Sequence, residues 1–243
     1  MPWSAADLVT AWEMAGGLTP PVRTAVLVYA LGLAGSPATA LDLDVGSAAS
    51  LLAAGYAEAF GDRVDLVVEC GACGETLEAD VELPRPDPGS TSACSGRWEV
   101  RLPTLGELAA VHGDPAAATR LRRWCVRPAP GDDGAQDRAA GAADPPLHGA
   151  VDAALDAALD DALDGLAAAA LPTGPVTCPR CGTRSDAVLD TAALLWDRLR
   201  RDAPRLLSDV AELASAFGWS EAEILALTDA RRQAYLQLVG NRS

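Results

Sequence analysis

Two short stretches carry the chemistry of this chain: C-G-A-C-G at residues 70–74 and C-P-R-C-G at residues 178–182. Each is a C-x-x-C-G turn. Cysteine thiolates suit a tetrahedral zinc ion, and the C-x-x-C spacing lets two sulfurs on one tight turn reach it. The glycine after the second cysteine tolerates a positive φ, so the backbone can curl around the metal. Together Cys70, Cys73, Cys178 and Cys181 make a complete four-thiolate set for one Zn2+. An all-cysteine site leaves no open coordination position, so this zinc is expected to be structural and not catalytic. A redox couple and unrelated structural cysteines are the other readings of such pairs. A thioredoxin-type couple wants a βαβ context, whereas the E-T-L-E-A-D-V-E-L that follows Cys73 alternates as a strand does. A compact zinc ribbon separates its two halves by about 15–20 residues. Here residues 74–177 intervene, so the ribbon must carry a large insertion.

The segments that would position these turns are legible in outline. The expected class is α+β: mainly helical, with a small four-cysteine, zinc-ribbon-like β module interrupted by a long helical and linker insertion. Residues 1–62 form an N-terminal helical region, opened by a cap at Ser4 and by prolines at the start of a second helix. Residues 63–104 make the first half of the ribbon, with strands flanking the first turn, a loop by composition at residues 84–96, and a strand in R-W-E-V-R-L-P-T. Residues 105–127 are a helical insertion, with Thr104 and Glu107 as a capping box. Residues 128–149 are rich in Pro, Gly, Asp and Ala without apolar periodicity, and are expected to be a dispensable, mobile linker. Residues 150–171 form an amphipathic helix with Leu155, Leu159, Leu163 and Leu166 on one stripe and Asp152, Asp156, Asp160 and Asp164 on another. Like charges at this spacing destabilise an isolated helix; the face is either solvated or meets arginines of a partner. Residues 172–190 supply the second half of the ribbon. Residues 191–243 are helical, with a capping box at Ser220 and Glu223 and a further cap at Thr228.

Composition removes whole classes of function. The chain has 243 residues and a net charge of −15, and its basic residues are all arginine. Without lysine there is no P-loop, Schiff-base or kinase chemistry. Its two histidines, His112 and His148, fall in no Ser/His/Asp or Cys/His arrangement. The expectation is therefore a protein that is not an enzyme. Acidic balance argues against nucleic-acid binding, although residues 120–127, R-L-R-R-W-C-V-R, form a local basic cluster. No apolar run reaches membrane-spanning length and the N-terminus lacks the basic segment of a signal peptide, so a cytoplasmic protein is expected. Cys94 and Cys125 are expected to be buried or spare thiols.

Several segments together resemble a known family. The first turn in C-G-A-C-G-E-T-L-E, the stretch R-L-P-T-L-G-E-L-A-A-V, the helix end L-R-R-W-C-V and the second turn in C-P-R-C-G-T-R-S-D-A-V-L-D-T-A-A-L-L-W-D-R-L look like a family of phage-tail-related baseplate proteins. The most specific part is R-L-L-S-D-V-A-E-L-A-S-A-F-G-W-S-E-A-E-I-L-A-L-T-D-A-R-R-Q-A-Y-L-Q-L-V. These proteins resemble baseplate hub subunits of large contractile phages and contractile injection systems. The resemblance covers residues 1–127 loosely and 171–240 well, and departs over 128–170. It implies a structural or assembly role beside other baseplate, hub or spike proteins, and transfers no catalytic residue. A zinc-ribbon regulator or nucleic-acid adaptor is the alternative. Within the C-terminal stretch, Trp219 and Tyr235 are expected to contact a partner, with Arg231 and Arg232 at the rim of that contact. Leu225 and Leu238 are expected in the core.

Overall fold

The computed structural model describes residues 3–83, 92–95, 98–128 and 153–241. The chain is α+β, with small antiparallel sheets set among helices. The Ser4 hydroxyl accepts from the Asp7 N–H while the Asp7 carboxylate accepts from the Ser4 N–H, which starts α1 (Ala5–Ala15). Two prolines open α2 (Pro20–Ala30). Ser36 and Asp44 cap α3 (Pro37–Leu41) and α4 (Val45–Phe60). The chain then enters a hairpin of β1 (Arg63–Glu69) and β2 (Thr76–Glu82), in register from Arg63↔Glu82 to Glu69↔Thr76.

The next strands go elsewhere. β3 (Ser92–Ser95) pairs with β4 (Trp98–Arg101), which pairs on its other side with β5 (Val126–Pro128). So part of the stretch read as loop at residues 84–96 is a strand, and the basic segment ends in another. Between β4 and β5 lie α5 (Leu105–Ala110) and α6 (Ala117–Cys125). The Thr104/Glu107 capping box forms, and Glu107 is also gripped by both terminal nitrogens of Arg101, at 2.8 and 2.5 Å. Helix α7 (Ala153–Ala170) lays Leu159, Leu166 and Ala170 on Val100 and Leu102, making a small core of its own. One acid of the stripe meets one arginine of the basic cluster within the chain itself and not on a partner: Arg122 Nη2 lies 3.5 Å from Asp160 Oδ1. The linker expected at residues 128–149 lies outside the described residues except for Pro128, and the side chain of Cys94 lies outside them too.

A second hairpin follows, β6 (Thr173–Thr177) with β7 (Arg184–Val188), in register from Thr173↔Val188 to Thr177↔Arg184. The C-terminal region is α8 (Thr191–Phe217), α9 (Glu221–Leu225) and α10 (Asp229–Gly240). The longest helix, α8, runs unbroken through Pro204. A proline inside a helix costs about 3 kcal/mol. Leu195, Leu199, Ala203, Leu206 and Leu213 are all buried along α8, and each buried leucine contributes about 1.5–3 kcal/mol, so packing wins. The main core joins α1, α2, α4 and α8 to the inward residues of both hairpins, Val64, Leu77, Val81 and Val176. Among the described residues no helix is long and apolar enough to cross a membrane.

One contact brings the hairpins together. Strands β2 and β6 run side by side without pairing, and Gly174 faces Val81, which is buried. A Cβ at residue 174 would stand 1.9 Å from Val81 Cγ1. Replacing Gly174 with alanine should cost about 1–3 kcal/mol, the usual range for overpacking. Val81→Ala should recover part of that loss in the double variant, because it removes the clashing methyl. Urea unfolding of the four proteins in the cycle checks this; strictly additive losses would show that the contact is not what limits the approach.

Candidate metal centre

Each cysteine pair sits at the tip of one hairpin, in the turns 70–75 and 178–183 between the register pairs Glu69↔Thr76 and Thr177↔Arg184. The two turns are built alike. The Cys70 N–H donates to the Glu75 carbonyl at 2.8 Å, and the Cys178 N–H to the Thr183 carbonyl at 2.9 Å. The Gly74 N–H donates to the Cys70 carbonyl at 2.8 Å, and the Gly182 N–H to the Cys178 carbonyl at 2.9 Å. Both closures need a left-handed residue, and Gly74 at φ +70° and Gly182 at φ +73° supply it. The turns therefore arise from local chemistry, and the shared core beneath them aims one at the other.

The result is a cluster of four sulfurs that all lie within 4.8 Å of one another. Cys70 Sγ is 3.7 Å from Cys181 Sγ, and Cys73 Sγ is 3.7 Å from Cys178 Sγ. A tetrahedral ion with metal–sulfur bonds of about 2.3 Å sets its ligands ~3.8 Å apart, so the cluster has the dimensions of a four-thiolate site. Four cysteines are thus placed where they could hold a metal ion. Among the described residues no other group of three or more metal-ligating side chains comes together.

Without a cation two of the thiols are pushed in opposite directions. Hydrogen bonds from the Thr183 side chain and backbone are the main reason that the Cys181 thiol is lowered to about 6. For Cys73 the largest single influence, a hydrogen bond from the Glu75 backbone, acts downward. Burial and the thiols of Cys181, Cys178 and Cys70 outweigh it, and Cys73 rises to about 12. Like charges this close cannot all form; a divalent cation among them removes the conflict. Cys70 and Cys178 are buried, Cys73 is half-buried and Cys181 is exposed. Two further contacts had no signal in the sequence. Thr183 Oγ1 lies 3.2 Å from Cys181 Sγ, placed to donate to a thiolate. Arg180 Nη1 and Glu75 Oε2, one from each turn, form an ion pair at 2.8 Å. Cys125, outside the cluster, is buried and raised to about 11 by desolvation, as a structural thiol should be.

The C-terminal residues fare unequally. Trp219 and Tyr235 come together, edge to face at 4.8 Å, and both contact Phe217, stacked on Trp219 at 4.8 Å and edge-on to Tyr235 at 5.9 Å. All three are half-buried. Arg231 is exposed. Arg232 is not at a rim: it is 4% exposed, and its guanidinium is held by Asp209 and Asp229. Position 232 faces α8 from the first turn of α10, so it packs inward. Leu225 is in the core as expected, but Leu238 is 54% exposed, because α8 covers only one side of α10.

Loading the chain with zinc should give one tightly held ion, and Cys70→Ser or Cys178→Ser should abolish stoichiometric binding. The same variants should lower thermal stability strongly. The ion would close a span of 111 residues between Cys70 and Cys181, and a covalent link across a loop of that order is worth about 4–5 kcal/mol by chain entropy. Binding should weaken as pH falls, because the ligands must shed protons. Elemental analysis beside calorimetric melting is the check; native protein with four freely reactive cluster thiols and no metal would contradict it. No model of a protein family, no curated protein and no solved structure matches the chain.

Proposed function

We propose that this chain is a non-catalytic scaffold or assembly protein of the baseplate of a contractile injection system, and that Cys70, Cys73, Cys178 and Cys181 hold one structural Zn2+. The observation that carries the zinc part is the convergence of four sulfurs within 4.8 Å from turns 105 and more residues apart. Four thiolates in a tetrahedron select zinc or iron. Zinc is the choice here because it imposes no redox chemistry on a site with no open position. Metal analysis separates the two, and a strongly coloured thiolate-to-iron absorption would replace zinc by iron.

The baseplate part is supported by the sequence resemblance, above all by residues 205–239, and by a surface fit for a partner. Phe217, Trp219 and Tyr235 interlock at half exposure, and Arg231 and Leu238 stand exposed on α10, four residues before and three residues after Tyr235. Aromatic clusters flanked by arginine are typical of dominant interface residues. The partners would be other baseplate, hub or spike proteins, in the cytoplasm where such particles assemble.

Arg231→Glu and Leu238→Glu test this reading without disturbing the core. Substitutions at such exposed positions shift stability by about 0.5 kcal/mol or less, so both variants should melt like the parent. In a strain making the particle, they should lose incorporation into the baseplate. Particles that assemble normally with both variants, or with the gene deleted, would remove the proposal.

A further inference from the structure

We infer that peroxide converts the thiolate cluster into two disulfides that run between the hairpins, Cys70–Cys181 and Cys73–Cys178, so that oxidation exchanges a metal clamp for a covalent one and does not open it. This rests on the four-thiolate reading of the site. Access decides where oxidation begins: Cys181 is the exposed member of the four, while Cys70 and Cys178 are buried and Cys73 is half-buried. Geometry decides how it ends. The sulfur contacts at 3.7 Å, Cys70 with Cys181 and Cys73 with Cys178, each join one turn to the other, and together they use every sulfur once.

The contacts do not depend on the ion to stay close. Val64, Leu77, Val81 and Val176 hold both hairpins in the same core, Gly174 lets β6 lie against Val81, and Arg180 and Glu75 bridge the tips. When the metal leaves, each sulfur keeps a neighbour at 3.7 Å from the opposite turn, while all four stay within 4.8 Å of one another, which makes the same-turn pair the competing product. An oxidised C-x-x-C turn would behave differently, because it would cap each hairpin separately and leave nothing between them.

The chemistry balances with a hydroperoxide as oxidant. The Cys181 thiolate attacks one peroxide oxygen, the O–O bond breaks, and the departing hydroxide takes a proton as water, leaving a sulfenic acid. The Cys70 thiolate then attacks the Cys181 sulfur. The S–S bond forms, the S–O bond breaks, and a second proton carries the hydroxide away as water. Two thiolates have been oxidised to a disulfide and one hydrogen peroxide reduced to two waters. A second peroxide repeats the sequence at Cys73 and Cys178, and the ion, left without thiolate donors, dissociates.

Tryptic mapping of the full zinc-loaded chain after hydrogen peroxide reads the outcome directly. Cleavage after Arg180 and Arg184 puts Cys181 in peptide 181–184, apart from Cys178 in peptide 139–180, and both apart from Cys70 and Cys73 in peptide 64–97, which also carries Cys94. The expected result is zinc release, seen with a metallochromic dye, and a non-reducing digest in which 64–97 is joined to both other peptides. Fragmentation of the joined species should assign Cys70 to Cys181 and Cys73 to Cys178. The oxidised, zinc-free chain should melt above the reduced, chelator-treated chain. A digest in which 181–184 is joined to 139–180 alone, or in which the sulfurs reach sulfinic acid unlinked, overturns the inference while leaving zinc binding intact. A chain that binds no metal yet joins 181–184 to 64–97 does the reverse: it removes the zinc reading and keeps the cross-link.

Discussion

Four sulfurs meeting at one point is the constraint from which the rest of this architecture follows. Sulfurs 105 and 111 residues apart in sequence come to 3.7 Å, and thiolates so close need a cation or protons among them. The hairpins that deliver them must therefore be fixed relative to each other to a fraction of an ångström. The fold does this with apolar contacts under the tips, where Val81 meets Gly174, and with the helices that share their core. The long segment between the hairpins is then obliged to leave and return at neighbouring places. It does so by building a second, smaller core from β4 and α7.

What could be read from the sequence was what depends on neighbours along the chain. The C-x-x-C-G turns, the capping boxes at Thr104 and Ser220, and the proline start of α2 all form as local chemistry dictates. The cluster of four cysteines was legible for the same reason, since two matching turns imply a shared target. What escaped was set by distant partners. Residues 92–95, S-A-C-S, have loop composition and become a strand because β4 offers them an edge. Pro204 lies inside α8, and buried leucines on either side carry the helix through it. Arg232 looks identical to Arg231 in a linear reading, yet one turns into the core to meet Asp209 and the other turns out.

Charge follows the same division. A chain at −15 with arginine as its sole basic residue could have kept its acids and arginines apart. Instead many find each other inside the molecule: Arg101 with Glu107, Arg127 with Glu99, Arg122 with Asp160, Arg232 with Asp209. Arginine suits these pairs because its planar fork binds a carboxylate through two nitrogens, as it does at Glu107 and Glu99. Most of these pairs are partly exposed and each contributes little alone. Their effect is to orient the inserted segment, which holds three of the four, around its own sheet.

The position of the sulfur cluster also has a mechanical meaning. In the metal-bound chain a pull on the two termini would travel through α1, α8 and the hairpin tips and bypass everything between Cys73 and Cys178. Those 105 steps of sequence amount to roughly 350 Å of extended chain, held out of the path of tension as hidden length. Force could deform the outer helices first, while the insert, with its sheet and acidic helix, would stay slack until a metal–sulfur bond gave way.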